Sequence, residues 1–193
     1  MTRRLSTPQL VSALAIATGM IASQTNAAPK GFLGSHTVTF GDVGFATSTD
    51  TTNIFVNSAT AVIDWTPDDN GISNGVPITF LDTNGTASFQ GFSDFAVLNR
   101  LNIADNSRQI LLNGAINSSI GQSVGGKIFF YSPSGFIVGS GAAINVGSLL
   151  LSASPIAVDG NGSFITGNTV TFGQAPNTLA SIVTATGSQI NAY

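Results

Sequence analysis

Short apolar runs alternate with turn-forming residues along the chain from residue 28 onward. Each run is rich in Val, Ile, Thr or Phe and is bounded by Gly, Asn, Asp or Ser, a pattern typical of β-strands joined by tight turns. No stretch in this region has the apolar stripe and capping residues of a helix. We therefore expect an all-β fold with strands at the following positions: Thr37–Phe40, Asn53–Val56, Ala59–Trp65, Pro77–Leu81, Thr86–Phe92, Phe95–Leu101, Gln109–Leu112, Lys127–Tyr131, Phe136–Val138, Ala143–Val146, Ser148–Leu151, Ser163–Ile165 and Thr169–Phe172.

Similar phrases recur in the second half of the chain. In Ile110–Asn117, an apolar stretch is followed by a turn with Gly and then by a small–apolar–Asn step. Ser134–Val138 and Gly141–Val146 reuse this order, and Gly187–Ala192 uses it again. Neutral Asn, Ser and Thr side chains can stack on one another without the repulsion between like charges. The recurrence therefore favours a fold in which successive units lie on top of each other.

The spacing of the strands favours a solenoid. Strand centres placed at Ile110, Phe129 and Leu149 are almost evenly spaced along the chain. Their period of about 20 is typical of solenoids, of which the parallel β-helix is the all-strand form. A β-sandwich also has many short strands and frequent turns, so the pattern alone leaves both architectures open. In a solenoid, the following residues should point into one core: Phe129, Ile137, Ile144, Val146 and Leu149.

Residues 1–27 have the pattern of a signal peptide. Arg3 and Arg4 precede the apolar run Leu10–Thr18, and the small-residue exit Thr25–Ala27 follows. The apolar run is too short to span a bilayer. A helix buried in the core is the alternative interpretation. We expect residues 1–27 to be removed, with Ala28 as an alternative end point, and residues 28–193 to form one domain.

The composition of residues 28–193 limits the function. They contain four basic residues and nine Asp, with no Glu, which gives a net charge of −5 with His36 neutral. Nucleic-acid binding is not expected, because four basic residues are too few to line a phosphate backbone. There is no cysteine. Stability must therefore come from burial and backbone pairing, and no disulfide would obstruct a chain threaded through a pore.

Several motifs follow one another in a fixed order between Phe95 and Ser154. Val97–Leu101 contains an Asn-Arg pair, Ile110–Gly114 is an apolar run ending in Gly, and Ile128–Phe136 is an apolar strand followed by Ser-Pro-Ser-Gly-Phe. The order continues with Gly139, Ala142 and Val146–Leu149. This segment, about a third of the mature chain, resembles the two-partner secretion, or haemagglutination activity, domain of filamentous-haemagglutinin-like exoproteins. Upstream, Val62–Trp65 resembles the opening of another coil of that family.

The sequence departs from the family pattern in two places. The family motif Asn-Pro-Asn-Gly-Ile is replaced by Ser132–Phe136, and a second Asn-Pro-Asn motif is missing from the N-terminal third. Ser forms side-chain-to-backbone turns more weakly than Asn, while Pro133 still restricts φ and Gly135 can still adopt a positive φ. We expect the turn to form, but without any partner contact that uses an Asn amide.

The resemblance implies a fold, a partner and a route. The fold is a right-handed parallel β-helix with short extra-helical β-elements. The partner is an outer-membrane barrel transporter with periplasmic domains, which binds the unfolded domain and threads it to the cell surface or medium. A passenger further along the chain, such as an adhesin, would contact host or cell-surface receptors. The residues implied in transporter recognition are Asn99, Arg100, Ser132, Pro133, Ser134 and Gly135.

For Arg100 a purely structural role is the competing interpretation. It is one of four cations after residue 27, and scattered charges often tether local structure. In that case Arg100 would pair with Asp94 or Asp105.

Residues with catalytic or metal-binding chemistry are scarce. His36 is the single histidine, no G-x-S-x-G motif surrounds a serine, and there are no thiolates for zinc. Asp159, Asn161 and Ser163 begin like a calcium loop, but Phe164 stands where Gly is needed. Asp68-Asp69-Asn70-Gly71 is better interpreted as a turn. We therefore expect no catalytic residue, no cofactor and no metal.

Two other functions remain open. A carbohydrate-active β-helix enzyme would need facing carboxylates, for which Asp64, Asp68 and Asp69 are the candidates, but Trp65 is the only tryptophan available for sugar stacking. A free-standing structural surface protein is the third hypothesis.

Val183–Ala192 looks like the opening of another coil, and no charged residue follows Asp159. We therefore expect the reading frame to continue, or this end of the domain to self-associate.

Overall fold

The fold is all-β. The computed structural model describes residues 31–69, 75–167, 169–174 and 180–193, and these residues contain strands and turns but no helix. The predicted signal peptide therefore lies outside the described residues. The strands are β1 Gly34–Phe40, β2 Val43–Thr47, β3 Thr51–Val56, β4 Thr60–Pro67, β5 Ile78–Leu81, β6 Thr86–Gly91, β7 Ala96–Leu101, β8 Ile110–Leu112, β9 Ala115–Ile120, β10 Ser123–Val124, β11 Lys127–Tyr131, β12 Gly135–Val138, β13 Ala143–Val146, β14 Ser148–Ser152, β15 Ile165–Thr166, β16 Thr169–Val170, β17 Ser181–Thr184 and β18 Gln189–Ala192.

Three sheets contain nearly all of these strands. Sheet I has the order β1-β4-β7-β11-β14, sheet II has the order β18-β13-β9-β6-β3-β2 with β10 beside β9, and sheet III has the order β17-β12-β8-β5. A separate two-stranded hairpin is formed by β15 and β16. Among the described strands, antiparallel pairing is confined to β1, β2, β10 and this hairpin, and the other ladders are parallel.

The chain visits the three sheets in rotation. From β3 onward, successive strands belong to sheets II, I and III, and this order repeats as far as β14, with β10 as an extra strand beside β9. We call one pass of the chain through the three sheets a circuit. The hairpin β15–β16 interrupts the rotation before β17 in sheet III and β18 in sheet II. Parallel pairing requires such long crossovers between neighbouring strands. It differs from the antiparallel sheets of an immunoglobulin-type sandwich.

The recurring phrases lie in register, but the predicted period fits only one step, because Phe129 pairs with Leu150, next to the predicted Leu149, in sheet I. Ile144 pairs with Ile116 on one side and with Ile190 on the other, so the second step along the chain is much longer than the first. Ile110 lies in sheet III, whereas Phe129 lies in sheet I, so the predicted step from Ile110 to Phe129 joined strands of different sheets. The inward-facing residues and turns repeat, whereas the loops between them differ in length. The repeated phrases therefore predict which strands pair, whereas a fixed spacing between strands does not.

The main core lies between the inner faces of the three sheets. It contains a cluster of aromatic rings, of which Phe32 and Phe80 stack with centroids 4.4 Å apart and Trp65 meets Phe32 edge-on at 5.1 Å. Such pairs add about 0.5–1.5 kcal/mol each beyond the burial of their area. Phe130 of β11 contacts the same cluster from sheet I at 5.9 Å. These rings pack together near the N-terminal strands of the sheets.

A second apolar cluster covers the outer face of sheet I. Val62, Leu98 and Phe129 point outward from neighbouring strands, and Phe164 meets Phe129 edge-on at 5.6 Å. Phe164 belongs to residues 156–167 and 169–172, which we call the cover; they contain the hairpin and pack across the sheet.

The prediction of one shared core is therefore wrong for Phe129. Neighbouring residues of a strand point to opposite faces. Ile128 and Phe130 take the inner positions, so Phe129 faces the cover. Ile144 and Val146 lie in the main core and Leu149 packs against it, but Ile137 belongs to neither cluster.

The last two strands present an open edge. Ile182, Val183 and Ile190 are exposed to 46%, 46% and 42%, although Ile182 and Ile190 pair in register with the buried Phe136 and Ile144. Whether this edge associates with anything stays a prediction.

Candidate functional site

Asn99 is fully buried in the main core. It lies on β7, where Val97 and Leu101 also face inward. The indole Nε1–H of Trp65 on β4 donates to Asn99 Oδ1 at 3.0 Å, and Asn99 Nδ2 donates to the carbonyl of Phe129 on β11 at 3.1 Å. Its amide thus joins three consecutive strands of sheet I. A buried amide needs such partners, because an unpaired polar group costs about 1–3 kcal/mol.

Arg100 points the other way, to the outer face of sheet I. Its Nε and Nη2 atoms bind the two carboxylate oxygens of Asp64 at 2.5 and 2.8 Å, and Nη2 donates to Thr39 Oγ1 at 3.2 Å. The guanidinium keeps 32% of its side-chain area exposed. It lines a cleft of about 540 Å³ between Thr39 and the cover residues 158–162.

The expected partners of Arg100 were wrong. Asp94 binds Lys127 instead, with 2.7 Å between Oδ2 and Nζ. Asp105 accepts hydrogen bonds from the hydroxyl and backbone N–H of Ser107, and these lower the pKa of Asp105 below its usual value. Parallel pairing of β4 with β7 places Asp64 beside Arg100, although the two residues are far apart along the chain.

Ser132–Gly135 forms the tight turn that the sequence predicts. The backbone N–H of Gly135 donates to the Ser132 carbonyl at 3.0 Å. Gly135 has a φ of 82°, which confirms the expected positive value. A Cβ atom there would collide with the backbone of Ser181 on β17. Only glycine therefore fits the turn without displacing β17.

The two serines of this turn face inward. The hydroxyls of Ser132 and Ser134 lie 3.2 Å apart, and Ser134 Oγ donates to the carbonyl of Arg108 at 2.6 Å. Both residues are buried, whereas Pro133 is half-buried. Ser134 thus supplies a hydroxyl that ties the turn to Arg108, which lies just before β8.

The structure brings the two groups of predicted residues onto neighbouring strands. Tyr131 pairs with Arg100 across β11 and β7, and the turn begins at the next residue, Ser132. Of the six, Asn99, Ser132, Ser134 and Gly135 are buried and only Arg100 and Pro133 are partly accessible. A partner of the folded domain could therefore contact little of this motif.

Two residues that matter for this site were missed as partners of the motif. Trp65 holds Asn99, and Asp64 holds Arg100. In the sequence, Val62–Trp65 resembles the opening of a coil and Asp64 is a candidate carboxylate, but neither Trp65 nor Asp64 is assigned to the motif. The pairing of Val62 with Leu98 is the missing information, since it aligns the two motifs across sheet I.

Three of the acidic candidates, Asp64, Asp69 and Asp159, are engaged in ion pairs or in a turn. Asp159 Oδ1 accepts the backbone N–H groups of Asn161 and Ser163 at 2.9 and 2.7 Å, which is a turn of the cover. Asp69 binds the buried Arg108, with 2.7 Å between Oδ1 and Nη1. Asp64 is bound to Arg100. As an acid or base of a glycosidase, either Asp64 or Asp69 would have to leave its ion pair.

His36 lies on β1, at one edge of sheet I. Its ring stacks on Phe45 with centroids 3.8 Å apart and lies 5.0 Å from Trp65. Partial burial among these rings lowers the pKa of His36 below its usual value. His36 therefore serves as a ring that packs against Phe45 and Trp65.

The described residues hold neither a metal cluster nor a membrane-spanning helix. Across these ranges, no group of three His, Cys, Asp or Glu side chains lies close enough to share a metal ion. The same ranges include no helix of sufficient length and apolar character to cross a membrane.

No family model matches the chain, and no curated protein matches it either.

Proposed function

We propose that this chain is the N-terminal secretion domain of a larger bacterial surface protein of the filamentous-haemagglutinin type, and not an enzyme. One observation carries the proposal. The segment Phe95–Ser154, on which the resemblance rests, contains successive strands of all three sheets, and its recurring phrases pair in register. A repeated phrase that stacks on itself supports a domain that acts as a template for further coils.

In this proposal the three sheets are the faces of one right-handed parallel β-helix. The rotation of the chain through sheets II, I and III supports this arrangement, because each circuit adds one strand to every face. The handedness follows from the strong preference of parallel crossovers for the right-handed form. The antiparallel strands β1, β2 and β10 and the hairpin β15–β16 would be the extra-helical elements.

The motif would be recognised before the domain folds. Asn99, Ser132 and Ser134 are buried in the folded domain, so an outer-membrane barrel transporter could contact them only in the unfolded chain. Folding outside would then bury the motif and the apolar side chains of the main core, which opposes return through the pore. Residues 1–27 would direct the chain to the periplasm.

A pair of matched variants separates recognition from stability. Asn99→Ala removes the motif residue, whereas Trp65→Phe leaves the motif residue in place and removes the indole N–H that donates to it, together with part of the ring. Arg100→Ala and Asp64→Ala likewise break one ion pair from its two sides. The chain is fused to a reporter, co-expressed with a two-partner transporter, and measured in the medium and the periplasm.

If the motif is read as an unfolded sequence, Asn99→Ala and Arg100→Ala leave the reporter in the periplasm. Trp65→Phe and Asp64→Ala then export normally, because their motif is intact. Equal export by both members of each pair would refute the role of these residues. Equal export with and without the transporter would refute the proposed function itself.

A further inference from the structure

The outer face of sheet II carries a row of amide and hydroxyl side chains. Asn53, Ser88, Asn117, Asn145 and Asn191 stand in register on five neighbouring strands. On β6, β9 and β13, the neighbours of these residues along the strand, such as Phe89, Ile116 and Ile144, are buried in the main core. We call these five residues the amide row. At the usual strand spacing of about 4.8 Å it extends over roughly 19 Å.

The amide row is uncharged and open. None of the strands β2, β3, β6, β9, β13 and β18 contains an acidic or basic residue or a histidine. Within the described ranges, the side chains of Asn117, Asn145 and Asn191 make no hydrogen bond to the protein. Each amide offers two donors and one acceptor. The row therefore presents many unused hydrogen-bonding groups at a regular spacing.

Two phenylalanines border the row at its N-terminal end. Phe92 is 95% exposed, and Phe55 of β3 is 39% exposed. Together with Asn57 and Gln90 they line a shallow cleft of about 140 Å³. Gln90 is also the neighbour of Asn53, with 3.3 Å between Nε2 and Oδ1, so the cleft is continuous with the amide row. An almost fully exposed Phe beside polar groups suits a ligand with both an apolar face and hydroxyls.

We propose that this surface binds a neutral polysaccharide, with sugar rings stacked on Phe55 and Phe92 and hydroxyls bound by the amide row. Sugar hydroxyls both donate and accept, as the amides do. An anionic polymer would lack cationic partners here and would meet a domain of net negative charge. A protein partner would need apolar contacts, which the row lacks beyond Phe55 and Phe92. Trp65, the single tryptophan of the chain, is 1% exposed and cannot stack on a sugar ring.

Affinity electrophoresis of the full chain tests this site. Native gels contain laminarin or hydroxyethyl cellulose as neutral polysaccharides, or alginate as an anionic one. We expect retardation in at least one neutral gel and none in alginate. Phe92→Ala and Asn117→Asp should each weaken the apparent affinity about tenfold, as expected for one lost stacking contact or one misplaced charge.

Two variants on the cover are the matched controls. Phe172→Ala removes another exposed ring, and Asn161→Asp adds the same charge away from sheet II. Both should be retarded like the unchanged chain. Absence of retardation in both neutral gels, retardation in alginate alone, or unchanged affinity of Phe92→Ala and Asn117→Asp would each overturn the proposal. None of these outcomes depends on export.

Discussion

The outer faces of sheets I and II are built on the same circuits of the chain but meet the solvent in opposite ways. On sheet I, Leu98 and Phe129 point outward and are buried beneath the cover. On sheet II, Asn117 and Asn145 occupy the outward positions, and no such cover packs on them within the described residues. One face is thus a second core, and the other is a polar surface.

The difference shows that the outward side chains, and not the strand backbones, decide whether a face is covered. Most inward residues are apolar on both sheets, as Ile116 and Ile128 illustrate, whereas Asn99 and Ser118 are polar exceptions. The cover is an insertion between β14 and β17, and it packs where the outward side chains are apolar. Since burying an amide without a partner is unfavourable, the same insertion would gain little on sheet II.

The largest effect should come from placing a charge on each outer face. Phe129→Asp puts an unpaired carboxylate beneath the cover, and we expect it to lower the free energy of unfolding by roughly 3–5 kcal/mol. Asn117→Asp puts the same charge on the open face and should change it by less than about 0.5 kcal/mol. Urea-induced unfolding followed by circular dichroism measures both. Similar stability of the two variants would show that the cover does not bury Phe129.

The sequence predicted the bounds of β11 and of β13 correctly, although β13 lies on the open face of sheet II. Lys127–Tyr131 was predicted with the bounds that β11 has, because its residues are apolar on both sides. β9, Ala115–Ile120, was missing from the predicted strands, although it is a central strand of sheet II. Its outward residues are polar, as in Asn117 and Ser119. Its inward residue Ser118 is polar as well, so β9 carries a weaker apolar signal than β13, where Ile144 and Val146 face inward.

The contacts of the site could not be predicted, because the circuits differ in length. In sheet I, Lys127 pairs with Ala96 on one side and with Ser148 on the other, and the circuit that begins at Ala96 is clearly the longer one. The sequence identified Asn99 and Arg100, and it predicted the turn at Gly135 correctly. The partners Trp65 and Asp64 became evident only from the register of β4 with β7.

A moderate effect should distinguish two asparagines on these sheets. Asn99→Ala leaves the indole N–H of Trp65 and the carbonyl of Phe129 without their buried partner. We expect a loss of about 2 kcal/mol in the free energy of unfolding. Asn145→Ala on the amide row should cost less than about 0.5 kcal/mol, since its amide faces solvent. The comparison would fail if both variants unfolded at the same urea concentration.

The smallest effect concerns the ion pair at the margin of the cover. Arg100 and Asp64 bind through two hydrogen bonds, but their side chains keep 32% and 24% of their area exposed. Solvent screening limits such a pair to about 1 kcal/mol, and salt weakens it further. A double-mutant cycle of Arg100→Ala and Asp64→Ala, measured by urea unfolding at low and at high salt, gives this coupling directly. We expect a coupling energy of about 1 kcal/mol at low salt and a smaller one at high salt, because water reaches Arg100 at the margin of the cover. A coupling of several kcal/mol that salt does not change would mean that the cover closes over the pair, and that the buried outer face extends further than Phe129 and Leu98.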